Sequence, residues 1–312
     1  MTTTLPQMGT TYPAAPATLN GQLITVDRLV NSPVLIYRIL RTLVQQRLVG
    51  DKALSGRVDL TGSGTAIYEI AESIFADMQA EIVAALAEYP LTTDTPGTPA
   101  VAATNKWGLA DLISDEVVAH NRIDQAMRKL VKLANRIVFQ FDALALSAIS
   151  SAVTQTQAAT ATWATTATAD PLADILLAAA QIDSLNQGYV ANTVLTTPIA
   201  WARVVTASKV LANTPRENGD SLVLTGNLVQ IAGLNIWKTT NMPSGVNAMV
   251  LDNTMLGSIA YENLGGGYQG NAGELESKKI RLDENDGWKI QARKVAVPMV
   301  QEPGAAVKIT GV

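Results

Sequence analysis

Cysteine is absent from this 312-residue chain, which excludes disulfides, thiolate nucleophiles and zinc–thiolate sites. Histidine occurs once, at His120, too little for a multi-histidine metal centre; beside Asn121, near a helix start, it reads as an ordinary polar residue. The same scarcity leaves the many serines and threonines without a base, and no G-x-S-x-G elbow is present, so acyl transfer has no machinery. Carboxylate pairs such as Asp115–Glu116 occur, but nothing singles out two of them for acid–base work. Trp107, Trp163, Trp201, Trp237 and Trp288 are scattered along the chain and read as packing residues, not a stacking platform. No basic residue precedes Arg28, so the opening TTTLPQMGTTYPAAPATLNG lacks the charged region of a secretory signal and reads as a flexible arm; the protein is expected to stay where it is made. Residues 143–169 carry no charge, yet their Thr, Ser and Gln content excludes a membrane-spanning helix.

Charge is also sparse. Hydrophobic residues make up 47% of the chain and charged ones 16%, few for a monomer solvated on all sides, so part of the surface is expected to meet other protein. The length exceeds what one hydrophobic core usually organises, so at least two subdomains are expected. The net charge of −4 is unevenly spread: residues 51–119 hold eleven acidic and three basic residues, whereas residues 120–138 hold five basic and one acidic. At the helical angle per residue, Arg122, Lys129, Lys132 and Arg136 form one positive stripe, which is either a solvated helix face or a complement to the acidic block of a neighbouring copy. A net-negative chain is a poor nucleic-acid binder.

What the chain does contain is pattern. Ser32-Pro33 opens a helix through Leu35, Ile36, Ile39, Leu40, Leu43 and Val44 that stops at Gly50. Val58 and Leu60, then Ala66, Tyr68 and Ile70, alternate around Thr61-Gly62-Ser63-Gly64 and predict a hairpin, which must lie on something to be stable. Ile74, Met78, Ile82 and Leu86 predict a helix from Ile70 to Tyr89. The segment Lys106–Asp142 joins a short alternating stretch to a long helix with Ile123, Met127, Leu130, Ala134, Ile137, Phe141, Leu144 and Ala148 on one face. The Ala/Thr run Ser150–Ala169 reads as a linker, and a second module begins with two helices opened by Asp170-Pro171 and Thr197-Pro198, with a strand at Thr193–Thr196 between them. From Leu222 the pattern is β, and the tail reads as a strand pair turning near Pro303-Gly304 that could return to the first module.

Two motifs suggest chemistry and fail on context. Gly265, Gly267 and Gly270 match G-x-G-x-x-G, but NAGELESKKIRL after them offers no helix to receive a pyrophosphate, so a mobile glycine loop is the better reading. The cluster Asp283, Glu284 and Asp286 resembles a calcium loop, but its glycine stands one place early and Lys294 fills the twelfth position.

The order of these elements resembles the major capsid proteins of tailed double-stranded DNA bacteriophages, with the Johnson fold of Hong Kong 97 type. KWGLADLISDEVV resembles that family's strand and S-D-E turn entering the spine helix, through Ser114, Asp115 and Glu116. Phe141-Asp142-Ala143-Leu144 resembles the family's helix ending. TTPIAWARV and GLNIWKTTNMPSG resemble its axial domain, and RKVAVPMVQEPGAAVKITG its last peripheral strands. The resemblance implies an α+β fold with an N-terminal arm with helix at 1–49, an extended loop region at 50–104, a peripheral domain at 105–165 and 285–312 and an axial domain at 166–284. It implies a non-enzymatic shell subunit without cofactor or metal, assembled in the host cytoplasm into hexamers and pentamers that enclose DNA without reading its sequence. A separate scaffolding protein and a portal are the implied partners, and no membrane is. Arg57, Asp59, Tyr68 and Glu69 on the loop, with Arg122, Lys129, Lys132 and Arg136 on the stripe, are the candidate contacts between subunits. Some relatives crosslink a loop lysine to a neighbour's asparagine; Lys52 lies near the loop, and its partner is not identifiable. An encapsulin-like nanocompartment shell is the near alternative, and a nucleotide-dependent enzyme using the loop 265–270 the distant one.

Overall fold

The computed structural model describes residues 18–19, 22–23, 32–45, 48–71, 73–93, 95–120, 123–165, 168–213, 230–271 and 273–312. The readings of most of the arm, of residues 214–229 and of Arg122 fall outside them. Strands β1 (Thr18–Leu19) and β2 (Gln22–Leu23) form a short antiparallel ladder. Helix α1 (Pro33–Gln45) buries Ile36 and Leu40, as its spacing requires. Gly50 does not stop this helix; it begins a separate turn, α2 (Gly50–Ala53). A Cβ at Gly50 would stand 2.7 Å from the Ala145 Cβ, so the glycine is there for close approach to the long helix.

The predicted hairpin forms differently. β3 (Gly56–Asp59) and β4 (Thr65–Ile70) flank the turn, but they do not pair with each other. β4 instead pairs with β5 (Thr98–Ala103), from Thr65↔Ala103 to Ile70↔Thr98. The helix expected between Ile70 and Tyr89 does not form among the described residues of that segment, which are irregular, with Ala71 and Leu86 at φ 56° and 69°. An amphipathic face stabilises a helix only when something covers it, and here Ile82 and Leu86 are fully exposed, at 104% and 108%.

β6 (Asn105–Ser114) leads into α3 (Asp115–Ala119) and then α4 (Ile123–Ala152). The spine is thus interrupted at His120, and it continues ten residues beyond Asp142 instead of ending near Leu144. Met127, Leu130, Ala134, Ile137 and Phe141 are buried along it as the periodicity predicts. The Ala/Thr run is not a bare linker. It contains β7 (Thr156–Ala158) and the buried Trp163, whose Nε1 donates to Asp174 at 2.8 Å.

The rest comprises α5 (Pro171–Asp183), β8 (Thr193–Thr196), α6 (Pro198–Thr206), α7 (Ser208–Asn213), β9 (Gln230–Ile231), β10 (Leu234–Lys238), β11 (Ala248–Leu251), β12 (Gly257–Tyr261), β13 (Glu276–Leu282), β14 (Gly287–Val300) and β15 (Ala306–Thr310). Asp170 and Thr197 cap α5 and α6 by accepting from Ala173 N and Ala200 N, each at 3.3 Å.

Two sheets organise these elements. In one, the 14-residue β14 is central: β6 and β13 flank its first part, β12 pairs with its end from Ala296 to Val300, and β3 joins β12 in parallel. Helix α4 packs on β14 and β6. The other sheet has the order β7-β15-β11-β8-β10-β9, with α5 against β15 and β11. The tail is therefore not a strand pair, since β14 and β15 belong to different sheets. The sheets also cut across the expected partition, because β12 and β13 lie with β14 and β15 lies with β8 and β11. The register of backbone hydrogen bonds, not chain proximity, decides membership.

Candidate subunit interface

The β4–β5 ribbon leaves the body from a small apolar root in which Leu60, Ala102, Ala260 and Met299 are buried and Tyr68 packs beside them. Burial there raises the Tyr68 phenol pKa. On the opposite face the cross-strand pair Ile67↔Val101 is exposed. Glu69 accepts from Gly97 N at 3.2 Å and holds the two limbs together where the ribbon ends. Beyond it, Thr93 and Thr95 donate to Asp77, and Ile74 N donates to Gln187 of the body at 3.1 Å. This tip exposes Ile74, Phe75, Met78, Ile82, Leu86 and Leu91, a large apolar surface for one segment. From Val58 to Asn105 the chain carries seven acidic side chains and no basic one, so the ribbon is both apolar and negative.

The other candidate residues divide into engaged and open groups. Arg57 donates to the carbonyls of Leu54 and Gly56 at 2.8 and 2.9 Å and lies 3.7 Å from the Asp51 carboxylate. Asp59 accepts from Thr61 N and Oγ1, which lowers its pKa and fixes the turn after β3. Lys129 donates to the Leu112 carbonyl and lies 3.5 Å from Asp111, tying α4 to β6. Lys132 and Arg136 are exposed on α4 and form no ion pair among the described residues; Arg136 stands over the exposed Phe139 ring at 5.8 Å. The positive stripe is thus partly structural and partly open.

Beneath these surfaces lie polar ties that the apolar pattern hid. Asp142, 1% exposed, accepts from Val49 N at 2.9 Å, Gly50 N at 2.6 Å, Asn241 Nδ2 at 3.0 Å and Thr239 Oγ1 at 3.3 Å. Burial raises its pKa against the pull of those donors. It joins the arm, the spine helix and the segment after β10. Asp115 takes a two-pronged contact from Arg281 at 2.6 and 2.8 Å, and that contact holds its carboxyl below the usual range. Arg293 and Glu276 form a buried pair at 2.6 Å, with the guanidinium 3.7 Å from the Tyr268 ring. Lys52 lies over the Trp237 ring at 3.4 Å.

The glycine loop is closed to a nucleotide reading, because it runs into strand β13 and no helix N-terminus follows. Its carbonyls are already used: Gly265 O accepts from Arg293 and Gly266 O from Lys278. The 283–287 turn is a 3₁₀ turn closed by Asp286 at φ 41°, and no group of three metal-ligating side chains occurs among the described residues.

A family model described as phage capsid protein matches residues 97–309, from the start of β5 into β15. No curated protein matches by sequence. Among solved structures, the capsid of Cyanophage P-SCSP1u is similar at TM-score 0.60 and 15% identity, over 84% of this chain and 88% of that one. A structure from Mycobacterium phage Adephagia is similar at TM-score 0.52 and 14% identity, over 83% and 88%. The SrpI encapsulin of Synechococcus elongatus is similar at TM-score 0.51 and 14% identity, over 82% and 85%. At such identities the likeness is one of fold, and the fold is of the Hong Kong 97 type.

Proposed function

The chain belongs to the phage capsid protein family, and from that premise we propose that it is a shell subunit whose copies form hexamers and pentamers closing around double-stranded DNA. The observation that carries this reading is the β4–β5 ribbon. A segment with fully exposed Ile82 and Leu86 and no basic residue is costly in water, and a second copy can bury it. Lys132, Arg136 and Phe139 on the open face of α4 offer such a copy positive charge beside an aromatic ring. The tip of one subunit is therefore assigned to the spine face of the next, with Tyr68 bracing the ribbon root and Glu69 its far end. Arg57, Asp59 and Lys129 act by shaping the surfaces from within.

The five-stranded sheet with α4 is assigned as the peripheral module and the six-stranded sheet as the axial module. No catalytic step is assigned to either. The acidic chain would enclose DNA without reading its sequence, assemble in the host cytoplasm, and require a separate scaffolding protein and a portal. Likeness to an encapsulin supports one second reading, a shell around protein cargo. Expression with and without the scaffold, followed by light scattering and electron microscopy, tests the proposal. Rings or closed particles are expected, and monomers under all conditions would overturn it. Particles loaded with a protein cargo and no nucleic acid would favour the encapsulin reading.

A further inference from the structure

A polar cavity of about 270 Å³ opens at the seam between α1 and the body. Three cations from three separate segments line it: Arg41 on α1, Arg57 on β3 and Lys294 on β14. Among the described residues two carboxylates face them, and both are already in use. Glu274 accepts from Arg41 Nη2 at 2.8 Å and from the Tyr37 hydroxyl at 2.7 Å. Asp51 lies 3.1 Å from the Lys294 ammonium and 3.7 Å from Arg57. Among the described residues one positive charge is left over, and Nε of Arg41 is buried without a hydrogen-bond partner there. Lys294 is only 2% exposed, so bulk water screens its charge poorly. A cation would be repelled, an apolar ligand would strand the idle N–H, and water would satisfy the N–H but leave the charge.

We propose that this cavity binds a small oxyanion of the phosphate or sulfate class, with Arg41, Arg57 and Lys294 as its counter-charges. Guanidinium groups suit such a ligand because their donors are planar and always charged. The cavity has room for one such group and a few waters. Because Arg41 belongs to α1 while Arg57 and Lys294 belong to the body, the bound anion ties the helix of the arm to the sheet beneath it. Tyr37 and Glu274 already make that contact directly, and Gly270 lets it close: a Cβ there would stand 3.0 Å from the Tyr37 ring. The glycine loop thereby acquires a packing role.

Titration calorimetry of the intact subunit with inorganic phosphate, at fixed ionic strength with chloride as control, tests this site. Saturable binding of one phosphate per subunit is expected, with none for chloride. Arg41→Gln and Arg57→Gln should each weaken binding about tenfold or more, with circular dichroism unchanged. The second variant leaves the Arg41–Glu274 contact intact, so misfolding of the first does not decide the matter. Displacement of bound phosphate by short duplex DNA would identify the source as nucleic-acid phosphate, and no displacement would identify the free ion. Absence of saturable phosphate binding to the wild-type protein would overturn the proposal, as would unchanged affinity in both folded variants.

Discussion

Replacing Ile82 and Leu86 together by Asp separates folding from assembly. Both side chains are fully exposed in the subunit, so the change removes no internal contact. Substitutions at such positions normally alter folding stability by about 0.5 kcal/mol or less, and the melting temperature should stay near wild type. If a neighbouring copy buries the two side chains, each contributes about 1.5–3 kcal/mol, or about 3–6 kcal/mol for the pair. That corresponds to a loss of about two to four orders of magnitude in the association constant. The new carboxylates add repulsion in a ribbon that is already negative. Sedimentation velocity across a concentration series reads the onset of assembly, and differential scanning fluorimetry reads folding. A variant that assembles at the wild-type concentration would refute the reasoning. So would one whose melting temperature falls as far as its assembly, since the tip would then be packed within its own subunit.

Three further outcomes follow from the same geometry. Lys132→Glu with Arg136→Glu should raise the concentration needed for assembly, and raising salt should weaken wild-type association in the same direction; light scattering that shows neither effect would remove charge complementarity from the interface. Asp142→Ala strands the buried N–H groups of Val49 and Gly50 and should cost about 2–4 kcal/mol in denaturant unfolding, with an unchanged midpoint as the contrary result. Arg281 lowers the Asp115 pKa below its unfolded value of 3.8, so the stabilisation from this carboxylate is present above that pH and is lost as pH falls through the lower folded value. The melting-temperature gap between wild type and Asp115→Asn should therefore be open at neutral pH and close under acid; a gap that persists in acid would contradict the assignment.

Local signals marked several elements reliably, while long-range pairing stayed hidden. The face through Met127, Leu130, Ala134, Ile137 and Phe141 marked the spine helix, and Asp170-Pro171 and Thr197-Pro198 marked two more helix starts. Those are properties of neighbouring residues. β3 and β12 lie about two hundred positions apart, and nothing near Val58 announces Ala260 as its partner. The same blindness made β3 and β4 look like a hairpin. The period through Ile74, Met78, Ile82 and Leu86 misled for another reason: it records a need for burial, and the described residues of this subunit offer no surface that meets it. Trp163 is the packing residue it was expected to be, but the Ala/Thr composition around it concealed β7 and the contact with Asp174. Of the candidate site, the opposed charges of the ribbon and the spine were legible. The buried Asp142 and Lys294 were not, because a single polar residue within an apolar stripe carries no sign of its partner.

A cryo-electron-microscopy reconstruction of assembled particles tests the central claim most directly. The account predicts that residues 74–91 of each subunit lie buried against the exposed α4 face of an adjacent copy, with Ile82 and Leu86 shielded from solvent. A reconstruction in which the ribbon tip remains in solvent, or folds back onto its own subunit, would contradict it.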